Sequence, residues 1–422
     1  MRKTETRVLA LALCACLVSG MAVAGETIRF IASNSPVADT IRTLLPQFEK
    51  DAGIKVEMEQ LGNEQLSQKL TVEFASGGSS IDVFMIRPLD EARMLKRNKW
   101  CVDLNAFVKD DREYDFADFS EGSIQCTRID GFQTAIPLIN ECQVVYYRKD
   151  VFEKAGVRPP KTFGELEQVA KAVTDRNGEM YGFASRGARN AMITQFSSYL
   201  YGFGGDFSDV DTGTATMDTP EAHAAIEYYG RMLREYGPDG VHNMSWPQAA
   251  AIFQQGKAAM YIDASSQYPS MLDPTKSLVA DKTGVAMFPA GPKAHRVYDI
   301  TAWAIGIHSG SENQDAAWKF IRYMTDKERT LILQGDFANQ CARMSTYENP
   351  EGVKKLPADW VKAVGDTGPI GVGHDRPRLT AVAQARDILS EPITLAIDGK
   401  DFTAAAKRAN QLFQELLDKE KK

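Results

Sequence analysis

Apolar and polar positions near the start of the chain predict strands and helices in turn. β-Branched and aromatic runs predict strands over residues 27–32, 54–59 and 81–86, and apolar residues at helical spacing predict helices over 37–50 and 64–74. Strands that alternate with helices in this way are typical of a mostly parallel sheet with helices on both faces. The pattern therefore predicts an α/β fold.

A long apolar run follows, and it holds a single charged side chain. From Ile136 to Tyr147 the chain reads IPLINECQVVYY, in which Glu141 is the one carboxylate and Val144 to Tyr147 predict a buried strand. Because a carboxylate buried without a partner is costly, something polar must meet Glu141. It is a candidate site residue, with a surface-exposed strand end or a structural salt bridge as alternatives.

The pattern then starts again, which predicts a second lobe. The predicted elements are a helix over 163–173 behind a capping box of Thr162 and Glu165, a helix over 220–236, a strand over 258–262, a pair of strands at 284–288 and 300–307, a helix after Ser311, and long helices over 377–397 and 402–417. With 422 residues, 44% hydrophobic and 25% charged, the chain is long enough for two domains.

The first 24 residues have the features of an export signal. Three basic residues precede an apolar segment, Val8 to Val18, and Ala22-Val23-Ala24 provides an A-x-A cleavage site. The apolar segment is too short to span a membrane, and no later segment is long enough either. We therefore expect a soluble, periplasmic protein with a cleaved signal peptide. A lipid anchor at Cys16 is the alternative, on a partial lipoprotein match.

Charge argues against two classes of partner. The formal net charge is −7, and it becomes −9 once the predicted signal, with three basic residues and one acid, is removed. A mildly acidic chain without basic blocks lacks the electrostatic surface that nucleic acid requires. The same balance argues against adhesion to anionic lipid.

The predicted mature chain keeps Cys101, Cys126, Cys142 and Cys341, in a compartment where disulfides persist. Four cysteines allow three pairings. We favour Cys101 with Cys126, since both flank one acidic, loop-like segment, which leaves Cys142 and Cys341 as a possible second pair. A free, buried Cys142 is the alternative. We expect no metal and no cofactor, because there is no C-x-x-C and the histidines are scattered without ligand spacing.

Loops after the predicted parallel strands are the natural place for a ligand, since such sheets bind at the carboxyl ends of their strands. Asn34 and Ser35 follow the first strand, and Arg87 follows the third. Short polar side chains suit a hydroxylated ligand, and a plain turn explains Asn34 and Ser35 nearly as well. These three residues are candidate ligand contacts.

Three separated segments of the chain read IPLINECQVVYYRKDVFEKAGVRPPKTFGEL, AAIFQQGKAAMYIDA and TAWAIGIHSGSENQDAAWKFIRYMT. Together they resemble the family 1 extracellular solute-binding proteins of ABC importers, in the maltose-binding-protein-like group for sugars and polyols. The resemblance implies a two-lobed periplasmic-binding-protein fold, with a mostly parallel sheet flanked by helices in each lobe and the ligand cleft between the lobes. It implies a signal peptide at 1–24, an N-terminal lobe of 25–140 and 264–326, and a C-terminal lobe of 141–263 and 327–422.

The resemblance also implies roles for individual side chains. It places an acceptor for sugar hydroxyls at Glu141, a ligand contact at Asp263 where a crossing strand leaves the second lobe, and an aromatic platform at Trp303. Arg343, and with a weaker claim Arg186, match positions from which an arginine reaches ligand oxygens. The alternatives are a helix cap or hinge support for Asp263 and core packing for Trp303. For Arg343 and Arg186, the alternative is an ordinary exposed arginine.

The expected function is therefore binding without catalysis: capture of a small sugar or polyol and delivery to the permease subunits of an ABC transporter. We expect a monomer and no nucleic-acid partner. Polar residues typical of malto-oligosaccharide binding are not evident around Arg87, which favours a shorter ligand. An exported glycoside hydrolase is the rival from another class, although the chain has no G-x-S-x-G or H-E-x-x-H motif.

Overall fold

The computed structural model describes residues 26–420 except 79, 110, 176, 178–179 and 210. The predicted signal peptide, including Cys16, lies outside the described residues. Within the described part of the chain, no helix combines the length and the apolar character that crossing a membrane requires.

Strands and helices alternate along the chain. The strands are β1 (Thr27–Ser33), β2 (Lys55–Leu61), β3 (Val83–Ile86), β4 (Arg128–Ile129), β5 (Phe132–Gln133), β6 (Ile136–Arg148), β7 (Ser208–Asp209), β8 (Thr214–Ala215), β9 (Met260–Ala264), β10 (Thr283–Met287), β11 (Val297–Ile307) and β12 (Gly371–Val372). The helices are α1 (Pro36–Ala52), α2 (Asn63–Ala75), α3 (Pro88–Arg97), α4 (Asn105–Val108), α5 (Glu121–Thr127), α6 (Lys149–Ala155), α7 (Phe163–Val173), α8 (Met192–Gly202), α9 (Pro220–Tyr236), α10 (Trp246–Gln254), α11 (Tyr268–Met271), α12 (Gln314–Thr325), α13 (Lys327–Gly335), α14 (Ser345–Glu348), α15 (Pro350–Val353), α16 (Ala358–Thr367), α17 (Val382–Ile397) and α18 (Thr403–Glu420).

The predicted series of strands and helices at the start of the chain is confirmed. β1 pairs in parallel with β2 along its length and with β3 at Phe30 and Ile31. Between the first two strands, α1 begins with Pro36, whose fixed φ suits the first helical turn. It ends at Gly53, which has a φ of 69° that favours glycine. The α/β class follows from this unit.

Two long strands connect the parallel strands to the rest of the fold. β6 pairs antiparallel with β11 from Ile136 to Cys142, and its second half pairs antiparallel with both β9 and β10. β11 continues alongside β3, also antiparallel. The two strands predicted at 284–288 and 300–307 are present as β10 and β11, but both are neighbours of β6 and they do not pair with each other.

Buried apolar residues form three clusters, and the two long strands pass between them. Ile139 on β6 and Ala304 on β11 belong to the first cluster, which surrounds β1 and β3. Val145 on β6 and Ile300 on β11 belong to the second, which surrounds α8, α9 and α17. The third lies beside the second half of β6 and includes Trp360. A ligand cleft between lobes would lie where these strands change cluster.

The lobe boundaries stay predictions, but the packing favours different positions for two of them. Met271 and Val285, predicted in the N-terminal lobe, pack in the third cluster. Leu333 and Cys341, predicted in the C-terminal lobe, pack in the first. Because a lobe is held together by its own core, these residues are better assigned with the clusters that they join.

The predicted disulfides are wrong: Cys101, Cys126, Cys142 and Cys341 are all free and buried. Each predicted pair would have to join two different clusters, since Cys101 and Cys341 lie in the first, Cys126 in the second and Cys142 in the third. The Cys142 thiol donates to Ser265 Oγ at 3.6 Å. The alternative of a free, buried Cys142 is confirmed. Sequence spacing carries no information about these separations.

Two helical glycines provide a matched test of how closely α9 packs on α17. A Cβ added to Gly230 on α9 would lie 2.5 Å from the Cβ of Ala396 on α17, whereas one added to Gly365 on α16 would meet nothing within 4 Å. We expect Gly365→Ala to raise the free energy of unfolding by about 0.5–1 kcal/mol, because alanine favours the helix. We expect Gly230→Ala to lower it by about 1–3 kcal/mol, because the two helices must separate.

Urea denaturation followed by circular dichroism measures both changes on the same scale. Equal stabilisation by the two substitutions would contradict the close packing of α9 on α17.

Candidate functional site

A cavity of about 1170 Å³ lies where β6 and β11 pass between the clusters. Its lining includes the loops after β1 and β3 and the start of α3 from the first-cluster side, and residues of α8 and α17 from the second. Ile139 and Glu141 of β6 and residues 300–303 of β11 lie between the two sides. A large concave site with convergent polar groups is the usual form of a small-molecule site.

Most of the predicted ligand contacts line this cavity. These residues are Asn34, Ser35, Arg87, Glu141, Arg186 and Trp303. The strand-end rule explains the first three, since β1 and β3 are parallel neighbours and their carboxyl ends meet at one edge of the sheet. That these side chains touch a ligand stays a prediction.

Glu141 lies at the point where β6 leaves the first cluster. Ser266 Oγ donates a hydrogen bond of 2.7 Å to Glu141 Oε2. Within the described part of the chain, no residue donates to Glu141 Oε1. Burial raises the pKa of this carboxyl above its ordinary value, and the hydrogen bond from Ser266 opposes that shift. The free oxygen can accept a hydrogen bond from a hydroxyl group in the cavity.

Arg186 lines the cavity, and its guanidinium is held by the fully buried carboxylate of Asp263. Its Nε and Nη2 donate to the two carboxylate oxygens of Asp263 at 2.9 and 2.5 Å, and Gln195 Nε2 also donates to Asp263 at 3.0 Å. Asp263 has no exposed surface and does not line the cavity. The predicted direct contact at Asp263 is thus corrected: the acid orients Arg186, because a bidentate pair fixes the plane of a guanidinium.

Arg343 does not line the cavity, so its predicted role as a ligand contact is also corrected. It is fully buried, and its guanidinium donates to the carbonyl oxygens of Thr325 at 2.6 Å and Tyr114 at 2.7 Å. The rings of Tyr114 and Phe119 lie 4.7 and 4.3 Å from its Cζ. Arg343 thus joins three segments of the chain on the side of the fold that holds the first cluster. The sequence motif alone does not distinguish this structural role from a ligand contact.

Trp303 has one part in the core and another in the cavity. It packs against the edge of the first cluster and lines the cavity, and the pairing of β11 with β6 is irregular on both sides of it, towards Thr301 and Ala304. A bulge of this kind redirects a side chain out of the strand alternation. Trp246, at the start of α10, also lines the cavity with 43% of its surface exposed, although no pattern in the sequence distinguishes it as a site residue.

A cluster of charges in the cavity wall was also missed. Asp90 on α3 contacts Arg376 at 2.7 Å and Arg386 at 3.8 Å, both from the second-cluster side, and Arg87 at 3.4 Å. Although burial alone would raise it, the pKa of Asp90 is lowered to about 2 by Arg376, Arg87 and Arg386. Arg376 is also held by Asp375. Asp90 therefore stays ionised and links the two sides of the cavity.

No group of three or more histidine, cysteine, aspartate or glutamate side chains within the described ranges could hold a metal ion.

Known proteins share both the sequence pattern and the fold. The family model of bacterial extracellular solute-binding proteins matches residues 33–329. The erythritol/L-threitol-binding protein of Mycolicibacterium smegmatis is 28% identical over 79% of this chain and 74% of its own length. The solved solute-binding proteins of Agrobacterium radiobacter with ribitol and Agrobacterium vitis with D-mannitol are 27% and 26% identical, with TM-scores of 0.82 and 0.77; each comparison covers 93% of this chain and 99% of the other.

A further carboxyl group, that of Asp299, lies in the region where β6 and β11 pair. Asp299 lies on β11 opposite Cys142 of β6, and it has no hydrogen bond or ion pair with the residues that the structure describes. Burial raises the pKa of Asp299 from 3.8 to about 7. Since the folded state holds this proton more tightly than the unfolded state, the free energy of unfolding falls as the pH rises from about 4 to about 7.

We expect Asp299→Asn to remove this loss of stability. The variant and the parent should unfold alike below about pH 4, where the carboxyl is protonated in both states, and the variant should be more stable above pH 7. Urea denaturation at a series of pH values measures the difference, with the exposed Asp281→Asn as the control. A variant that gains no stability at high pH, or gains the same at pH 4, would contradict the burial of an unpaired charge.

Proposed function

The chain belongs to the bacterial extracellular solute-binding protein family, and we propose that it is the receptor of an ABC importer for a small polyol or sugar. The family assignment confirms the resemblance of the three sequence segments. Named relatives at comparable identity bind four-carbon polyols or mannitol, and similar solved proteins hold ribitol or D-mannitol. These ligands share a chain of adjacent hydroxyl groups.

The observation that carries the proposal is the chemistry of the cavity wall. A hydroxyl group both donates and accepts, so a polyol needs donors and acceptors at close spacing. Arg87 and Arg186 supply oriented N–H groups, since their carboxylate partners Glu91 and Asp263 hold them in place. Glu141 supplies a free acceptor oxygen. The relatives named with tetritols, ribitol and mannitol favour an acyclic polyol over a long oligosaccharide.

Closure of the two sides on the ligand would then give recognition. Arg87 comes from the first-cluster side, whereas Arg186 comes from the second. A ligand that bridges them stabilises the closed arrangement by its differential contacts with that arrangement. The family implies that the loaded form is presented to permease subunits. We propose that the protein acts as a monomer, is exported by a cleaved signal at residues 1–24, and releases its ligand chemically unchanged.

A thermal-shift screen of tetritols, pentitols, hexitols and common mono- and disaccharides tests the proposed function. A true ligand at about 100 times its dissociation constant should stabilise the folded protein by about 2.7 kcal/mol. Neutral disaccharides without a matching hydroxyl pattern should leave the melting temperature unchanged. The absence of any shift across the whole panel would overturn the proposal, and hydrolysis of a bound glycoside would favour the rival enzyme.

We expect Glu141→Ala to weaken binding of the polyol found in that screen by about tenfold or more, because it removes an acceptor from a ligand hydroxyl. Isothermal titration calorimetry measures the dissociation constant. The control is Glu153→Ala, an exposed acid on α6 outside the cavity lining. If both variants bind as tightly as the parent, Glu141 is not a ligand contact.

Substitution of the two cavity tryptophans separates their roles. Trp303→Phe should remove most of the ligand-dependent change in fluorescence if Trp303 is the aromatic platform, whereas Trp246→Phe should leave most of it. The reverse result would make Trp246 the platform.

A further inference from the structure

A second cavity, of about 340 Å³, lies next to the cleft and shares only Leu89 with its lining. Its walls come from α3, α5, the turn between β4 and β5, and the segment 373–378. The α3 wall carries Ala92 of the first cluster, and the other wall leads to Leu379 of the second. The cavity thus lies between the same two bodies as the cleft.

Three arginines from separate parts of the chain line this cavity: Arg93 on α3, Arg128 on β4 and Arg378 before α17. Arg93 and Arg378 make no hydrogen bond and no ion pair with the rest of the described chain. Arg128 makes a single long hydrogen bond, 3.2 Å, to Gln133 and lies beside the ring of Phe116. Most of their N–H groups are therefore unused by the protein.

The two acids that line the cavity have hydrogen-bond or ion-pair partners other than these arginines. Glu121 accepts a hydrogen bond from Gln125 at 3.1 Å, and Asp130 pairs with Lys96 at 2.6 Å. Burial lowers the pKa of Arg93 and outweighs the opposing effect of the nearby Asp130 and Glu420, while Arg378 lowers it further. Like charges that line one concavity repel one another, and an anion bound between them offsets that repulsion.

We infer that this cavity is a binding site for a small tetrahedral oxyanion of the phosphate class, held by Arg93, Arg128 and Arg378. A planar carboxylate is satisfied by one guanidinium fork, whereas a tetrahedral anion directs oxygens towards several. The cavity has room for one phosphate group. An anion bound there would join α3 to the segment before α17, outside the cleft and without contact to the groups assigned to the polyol.

Titration with inorganic phosphate at low ionic strength tests the site. The parent protein should bind phosphate, and the double variant Arg93→Gln with Arg378→Gln should bind it at least about tenfold more weakly, because hydrogen bonds to a charged partner are the strong ones. Arg378→Gln alone, at an exposed position, should weaken binding by a smaller factor.

The matched control is Arg97→Gln, an exposed arginine on α3 that lies outside the lining of both cavities. It loses the same charge and should bind phosphate as the parent does. The double variant should keep the parent's affinity for the polyol, which shows that it is folded and separates this test from that of the cleft. No phosphate binding by the parent, or equal binding by the double variant, would overturn the inference.

Discussion

A change of hydrophobic core part-way along two paired strands is the constraint on which the rest of the fold depends. β6 has Ile139 in one cluster and Val145 in another, and β11 changes cluster over residues 300–304. The pairing of β11 with β6 is irregular around Trp303, within the span where β11 changes cluster. Polar groups such as Glu141 lie on the part of the strand between the residues that pack in one cluster and those that pack in the next.

Charge pairing then makes this polar region usable. Three of the four arginines that line the cleft each have a carboxylate that fixes their orientation: Asp263 for Arg186, Asp375 for Arg376 and Glu91 for Arg87. A fork that is already held loses little freedom when it donates to a ligand, so affinity comes at a smaller entropic cost. The carboxylates also offset the mutual repulsion of several guanidinium groups that lie close together in a partly buried space.

Local patterns predicted what local physics decides. Periodicity gave the parallel unit of β1, β2 and β3, and the strand-end rule placed Asn34, Ser35 and Arg87 on the cavity wall. The family resemblance predicted Glu141, Arg186 and Trp303 as site residues, and all three line the same cavity.

The failures concern contacts between distant segments. Asp90 and Arg376 are separated by 286 residues, and no spacing rule joins them. Asp263 and Arg343 match polar positions in motifs, but only the fold shows that both are enclosed by protein. The disulfide prediction failed for the same reason, since spacing along the chain is unrelated to which core a cysteine enters.

The four enclosed thiols make the protein's chemical lifetime depend on how seldom it unfolds. Burial raises the pKa of Cys101 and Cys126 to about 12, so very little of either thiol is in the reactive thiolate form at neutral pH. In the unfolded chain the same thiols regain ordinary acidity and meet one another freely. Oxidation would then trap cross-links between cysteines that lie in different clusters of the folded protein. In an oxidising compartment, a slow unfolding rate protects this chain more than a large equilibrium stability does.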